Sequence, residues 1–214
     1  NNSDVYAREV ATIAAGNGIT AHIFEEPRAT PELSFAVREL GATAGVVISA
    51  SHNPPRDNGF KAYWLDGAQV VSPHDKAIIA EVNAITEIKR ANYEEGVSSD
   101  TIRTMPASMD ASYIEGTALS LSEQREVKIV FSPLHGVGAT SIVPALSNLG
   151  FNDLTVIDEQ NDFDGNFPTV PGGVANPEDP ATMTIAIAKA KEIDADLVIA
   201  SDPDADRLGC AIPL

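Results

Sequence analysis

Short apolar runs alternate along this chain with stretches in which apolar residues return every three to four positions, the two rhythms of strands and helices. The helical rhythm first appears over residues 4–15, where Tyr6, Val10, Ile13 and Ala14 share a face, with Ser3 as an N-cap and Gly16 as the stop. Residues 19–24 read as a short strand. Thr30-Pro31 opens a second helix, with proline where a missing N–H costs nothing, and Gly41 closes it. The run Ala44-Gly45-Val46-Val47-Ile48-Ser49-Ala50 is apolar without alternation, the pattern of a strand covered on both faces. Residues 60–65 and 68–71 flank Asp66-Gly67, a two-residue hairpin signal, and Ser72-Pro73 starts a helix running to about 85.

Residues 89–109 are polar and aperiodic, with Gly96, Ser98-Ser99 and Pro106, and read as a passage between two domains. A second alternation follows: helix 110–121, strand 127–131, helix 138–149 ended by Gly150, and strand 154–157. An irregular stretch then carries Asp162, Asp164, Pro168, Pro171, Gly172-Gly173 and Pro177. Asp179-Pro180 caps a helix through 191, and strands cover 197–200 and 208–212. The expected fold class is α/β: two three-layer α/β domains, 1–109 and 110–214, each with a mainly parallel mixed sheet.

Composition narrows the partners. Of 214 residues, 14 are Lys or Arg and 31 are Asp or Glu, a formal charge of −17. Such a chain lacks the basic footprint that holds nucleic acid or an anionic membrane, so neither is expected as a partner. Hydrophobic residues make up 43%, enough for a real core, and no apolar run approaches a membrane span. The single cysteine, Cys210, rules out an internal disulfide and fits a reducing cytosol, so the expected localisation is cytoplasmic. The opening Asn1-Asn2-Ser3-Asp4 has neither Met nor a signal-peptide pattern, as expected for a cut inside a longer protein.

Two strand-end loops carry the chemistry, where ligands gather in α/β sheets. The first is Ser49-Ala50-Ser51-His52-Asn53-Pro54-Pro55, stiffened by consecutive prolines and followed by Asn58-Gly59 and Lys61. It gathers a hydroxyl, an imidazole, an amide and an ammonium; it is not the Gly-x-Ser-x-Gly elbow of a hydrolase. The second is Ser201-Asp202-Pro203-Asp204-Ala205-Asp206-Arg207. Three carboxylates at alternate positions converge, and each like-charged pair ~4 Å apart costs roughly 4 kcal/mol at an effective dielectric near 20. Such a cluster calls for a hard cation, Mg²⁺. A calcium hand fails on spacing, because Arg207 and Pro213 stand where that motif needs Gly and Glu. A third loop, Ser132-Pro133-Leu134-His135-Gly136-Val137-Gly138, lacks the third glycine of a dinucleotide fingerprint and reads as a turn that packs a helix close to the sheet.

At these residues the chain resembles the α-D-phosphohexomutase superfamily of phosphoglucomutases and phosphomannomutases. Ala50-Ser51-His52-Asn53-Pro54 matches its phosphoserine loop, Asp202-Pro203-Asp204-Ala205-Asp206-Arg207 its metal loop, and Asn58-Gly59-Phe60-Lys61 the segment of its proton-transferring lysine. Residues 66–75 look more like the phosphoglucomutase/phosphopentomutase branch. The resemblance implies Ser51, Lys61 and His52 as catalytic, Arg207, Asn53 and His135 as substrate- or phosphate-binding, and Asp202, Asp204, Asp206 and the phosphate on Ser51 as holding one Mg²⁺. It further implies a hexose or pentose phosphate substrate and a sugar bisphosphate as intermediate and activator. The family has four domains; the chain matches part of domain 1 and domain 2, so domains 3 and 4 are expected as further partners and the chain alone is expected to turn over little or not at all. Two rivals are a Mg²⁺-dependent haloacid-dehalogenase-type phosphatase, whose Asp-x-Asp-x-Thr/Val motif is broken by Asp206, and a non-catalytic sugar-phosphate-binding module.

Overall fold

A computed structural model describes residues 2–117, 119 and 123–214. In its first half, helix α1 (Ser3–Gly16) leads to strand β1 (Ala21–Ile23), helix α2 (Thr30–Glu39), strands β2 (Ala44–Ile48) and β3 (Phe60–Trp64), helices α3 (His74–Ala84) and α4 (Tyr93–Ser98), and strand β4 (Ile102–Thr104). Ser3 is already helical and Asn2 takes the cap position, without a side-chain cap. Ala11 is the buried residue of α1, whereas Tyr6 stays exposed, so the packing seam is rotated from the expected face. Pro31 sits in the first turn of α2, as the sequence predicts.

β2 and β3 pair antiparallel, Ala44 opposite Trp64 through Ile48 opposite Phe60. β2 is only half-buried, which corrects the expectation of a strand covered on both faces. The hairpin at Asp66-Gly67 closes through the Trp64 amide on the Ala68 carbonyl, but its second arm reduces to a single bridge between Tyr63 and Gln69. The larger correction concerns 89–109: β4 lies inside this passage and pairs in parallel with β1, Ala21 opposite Ile102. A three-residue strand flanked by polar residues leaves too little periodicity to be read.

The second half runs through α5 (Ser108–Thr117), β5 (Ile129–Ser132), α6 (Ile142–Asn148), β6 (Leu154–Val156), α7 (Thr184–Ile193), β7 (Leu197–Ser201) and β8 (Leu208–Ala211). The end of the helix expected over 110–121 lies outside the described residues. Helix 138–149 is divided into a 3-10 turn, Gly138–Thr140, and α6; helix 180–191 likewise begins as a 3-10 turn, Pro180–Met183. Asp179 caps the latter by accepting the Ala181 amide at 2.9 Å. The sheet order is β6-β5-β7-β8, parallel except for the β7–β8 pair, so the molecule is a mixed α/β structure with parallel and mixed sheets. Val130 and Val198 face α7 through Ala186 and Ala190, and Leu134, Phe167, Met183 and Ala200 extend this core beneath the irregular stretch. The two halves are sewn together where α2 meets α5: Ala36 packs on Met105 and Met109, and Phe35 meets Tyr113 edge to face at 5.7 Å.

Candidate active site

Both chemistry-bearing loops leave the carboxyl end of a strand, β2 in one half and β7 in the other, and the packing of the halves brings them together. Ser51 Oγ donates to Asp202 Oδ2 at 2.5 Å across 151 residues of sequence.

Ser51 is held in the left-handed region, φ 54°, which is sparsely populated by residues other than glycine. Its amide donates to Ser49 Oγ at 2.8 Å, and the Ser49 amide donates to the Gly59 carbonyl. At Gly59 an added Cβ would stand 2.3 Å from the Ser49 carbonyl oxygen, so this close strand crossing needs glycine. The acidic loop is folded by Asp202: its Oδ1 accepts the amides of Asp206 at 3.1 Å and Arg207 at 3.0 Å, while its carbonyl accepts the amide of Ala205 at 2.9 Å. This local wrapping turns Asp202, Asp204 and Asp206 to one side, with one carboxylate oxygen of each within 4.8 Å of the others. From below, the Val137 amide donates to the Pro203 carbonyl, and Gly136 lies so close that a Cβ would meet Pro203 Cα at 2.2 Å. The glycine turn of 136–138 therefore seats the acidic loop.

Asp204 Oδ2 collects three donors: Lys61 Nζ at 2.8 Å, Ser49 Oγ at 2.8 Å and Thr30 Oγ1 at 3.0 Å. Lys61 also donates to Asp206 Oδ2 at 3.1 Å. Asp202 is 0% exposed. Burial, against the Ser51 hydrogen bond and reinforced by Asp204 and Asp206, pushes its pKa up to about 7. At Asp204 burial pulls the same way, but the Lys61 ammonium outweighs it and holds the carboxyl below the ordinary range. Burial opposes the Lys61 charge; its hydrogen bonds and charge pairing with Asp204 and Asp206 win and raise its pKa. The Lys61 ammonium and the raised pKa of Asp202 thus offset part of the charge of the trio and leave it net negative. The buried Asp204 Oδ1 has no hydrogen-bond partner, and three hard oxygen donors converge beside it. The residues fit Mg²⁺.

The remaining expected residues divide. His52 Nδ1 lies 3.2 Å from Ser51 Oγ and 3.2 Å from Arg207 Nη1. Burial, then the Arg207 charge, lowers the His52 pKa, which favours a neutral imidazole between hydroxyl and guanidinium. Asn53 is exposed on the same loop, its amide on the Ala50 carbonyl. His135 does not join the group: it is 5% exposed, and its Nε2 pairs with Thr169 Oγ1 at 2.9 Å in a network with Gln160 and Ser132. The hydrogen bonds of His135 thus lead away from Ser51 and the acidic trio, and a phosphate-binding role for it is a proposal. Two residues on Asp204 went unread in the sequence, Ser49 and Thr30. Ser49 directly follows β2, and its hydroxyl accepts the amide of Ser51 two residues on; Thr30 reaches Asp204 across 174 residues and left no local signal.

A mixed α/β scaffold that sets a strand-end serine against a strand-end acidic trio is the class defined by fold and site. Family models place the chain within it: the phosphoglucomutase/phosphomannomutase alpha/beta/alpha domain I matches residues 1–89 and alpha/beta/alpha domain II matches 111–213. The chain belongs to the α-D-phosphohexomutase superfamily. It is 39% identical over 216 residues to the Haemophilus influenzae "Probable phosphomannomutase", covering 99% of this chain and 44% of that protein. To the human phosphopentomutase it is 36% identical over 214 residues, covering 96% of this chain and 35% of that protein. A crystal structure from Thermus thermophilus, described as a "putative phosphomannomutase", superposes with a TM-score of 0.81 at 27% identity, covering 99% of this chain and 46% of that one. The chain spans less than half the length of these relatives. Among the described residues, no helix is long and apolar enough to cross a membrane.

Proposed function

We propose that this chain supplies the phosphoserine and metal loops of a phosphosugar mutase, an isomerase that moves a phosphoryl group between C1 and C6 of a hexose phosphate, or C5 of a pentose phosphate. Residues 1–109 would carry the serine loop and 110–214 the metal loop. The observation that carries this reading is the 2.5 Å contact between Ser51 Oγ and Asp202 inside the acidic trio, in a member of this family. A phosphoryl group on Ser51 would bring roughly −1.5 to −2 charge to the oxygens of Asp202, Asp204 and Asp206.

Asp202, Asp204 and Asp206, with a phosphoryl oxygen on Ser51, would hold Mg²⁺, which when bound would supply charge neutralisation at the transferring group. In the forward step the bond from Ser51 Oγ to phosphorus breaks as a bond from a sugar hydroxyl to phosphorus forms. The hydroxyl loses a proton, the serine oxygen gains one, and Lys61 relays it. The bisphosphate then reorients and returns its other phosphoryl group to Ser51. Arg207 offers a guanidinium fork to phosphoryl oxygens, with His52 lying between it and Ser51. The fixed, strained backbone at Ser51 positions the nucleophile before substrate arrives.

Asp202, the first carboxylate after β7, is a poor nucleophile: it is fully buried, and both oxygens are engaged. That disfavours an aspartyl-phosphate route. Incubation with Mg²⁺ and glucose 1,6-bisphosphate, followed by intact-mass measurement and peptide mapping, tests the proposal. One phosphoryl group on Ser51, lost in Ser51→Ala, is expected; a phosphoryl group on an aspartate overturns it.

A further inference from the structure

Away from the reacting groups, a buried carboxyl lies in the seam between the halves. Glu32, in the first turn of α2, is 1% exposed, and its Oε1 has no hydrogen-bond partner. Its carboxyl stands against that of Asp110 in α5, close enough to hydrogen-bond once Glu32 carries a proton, and Asp110 Oδ2 in turn accepts Arg28 Nη2 at 2.9 Å and Nε at 3.1 Å. Tyr113 of α5 also faces Glu32. Two residues before Glu32, Thr30 grips Asp204 twice: its amide donates to the Asp204 carbonyl at 2.9 Å and its hydroxyl to Oδ2 at 3.0 Å. The turn that presents Thr30 is therefore fixed on its other side by the Arg28–Asp110–Glu32 group.

We propose that Glu32 is a positioning residue for the acidic loop: its buried carboxyl, bonded to Asp110, clamps the first turn of α2 onto α5 and holds Thr30 in register with Asp204. The proposal rests on the reading of Asp204 as a metal ligand. Two acidic groups share this site with one guanidinium, so the clamp needs a proton on Glu32. Burial, then the Asp110 hydrogen bond and charge, against Arg28, push the Glu32 pKa up to about 8. Ionisation places an uncompensated buried charge beside Asp110 and loosens the turn.

The test measures Mn²⁺ affinity of the intact chain by electron paramagnetic resonance from pH 7 to 9.5, alongside hydrogen exchange of the Thr30 amide without metal. Glu32→Ala is expected to weaken Mn²⁺ binding about tenfold and to deprotect the Thr30 amide. Glu32→Gln, neutral and similar in shape, is expected to restore both at pH 7 and to abolish the fall in affinity that the parent chain shows above about pH 8. If Glu32→Ala does not fold, the pH series on Glu32→Gln decides. Unchanged Mn²⁺ affinity and Thr30 protection in the variants, or a parent profile identical to that of Glu32→Gln, overturns the positioning role. Absence of Mn²⁺ binding in the parent chain overturns the metal reading of Asp204 instead, while Thr30 exchange still reports on the clamp.

Discussion

Asp204 holds one oxygen against three donors and leaves the other buried without any. Asp204→Asn removes the charge and exchanges an acceptor for a donor, so Mn²⁺ affinity is expected to fall by at least about tenfold in an isothermal titration. Lys61→Met separates the two roles proposed for the lysine: turnover in the complete enzyme is expected to be lost, whereas metal affinity at pH 8 is expected not to fall, because the ammonium competes with a cation for Asp204 and Asp206. A linkage sign follows at Glu32, whose pKa moves from 4.5 in the open chain to about 8 in the fold. A raised acid keeps its proton in the native state, so its contribution is complete below about pH 4.5 and is lost as pH rises towards 8. Denaturant midpoints of metal-free Glu32→Gln are therefore expected to decline less over that range than those of the parent chain. At this scale the sequence was informative where chemistry is local. The alternation Asp202, Asp204, Asp206 and the rigid turn at Ser51 were readable; Ser49 lies in the same loop, but its bond to Asp204 was not. Thr30 and Glu32 were not, since their meaning comes from partners far along the chain, Asp204 and Asp110, that only the seam brings close. His135 adjoins the glycine turn that touches the acidic loop, while its Nε2 is engaged in the Gln160–Thr169 network, a long-range pairing with no local signal.

The acidic loop is an insert between β7 and β8, and its position is set by the turn after β5. Gly136→Ala drives a methyl group into the Pro203 backbone, where no flexible side chain can yield. The expected cost is about 1–3 kcal/mol of stability in urea unfolding, with weaker Mn²⁺ binding in the folded remainder. Helices of ten residues with a clear apolar rhythm were legible, α2 from its Thr30-Pro31 start and α7 from its continuation of the pattern opened by Asp179-Pro180. The 3-10 turns ahead of α6 and α7 were not, because their side chains follow the same pattern as the helices they precede. β4 was hidden for a different reason: three residues give no usable alternation, and its pairing with β1 is a long-range choice.

Across the whole molecule, the serine and the acidic trio belong to different sheets, and their meeting depends on α2 packing on α5. The strongly acidic chain tolerates this concentration of carboxylates because Lys61 pairs with two of them and burial raises the pKa of the third, Asp202, so that only part of the charge is left for a cation to offset. A cation that binds the folded loop and not the open chain stabilises by mass action. Millimolar Mg²⁺ is thus expected to raise the melting temperature of the parent chain and to leave that of Asp204→Asn where it was, as read by scanning calorimetry.

The account turns on a divalent ion joining phosphorylated Ser51 to the three aspartates. Phosphorus NMR of the Ser51-phosphorylated protein, titrated with substoichiometric Mn²⁺, tests this directly: the phosphoserine line should broaden beyond detection as the first metal site fills, and sharpen again when Mg²⁺ in excess displaces it. A phosphoserine line that stays narrow while Mn²⁺ is bound to the acidic loop would contradict it.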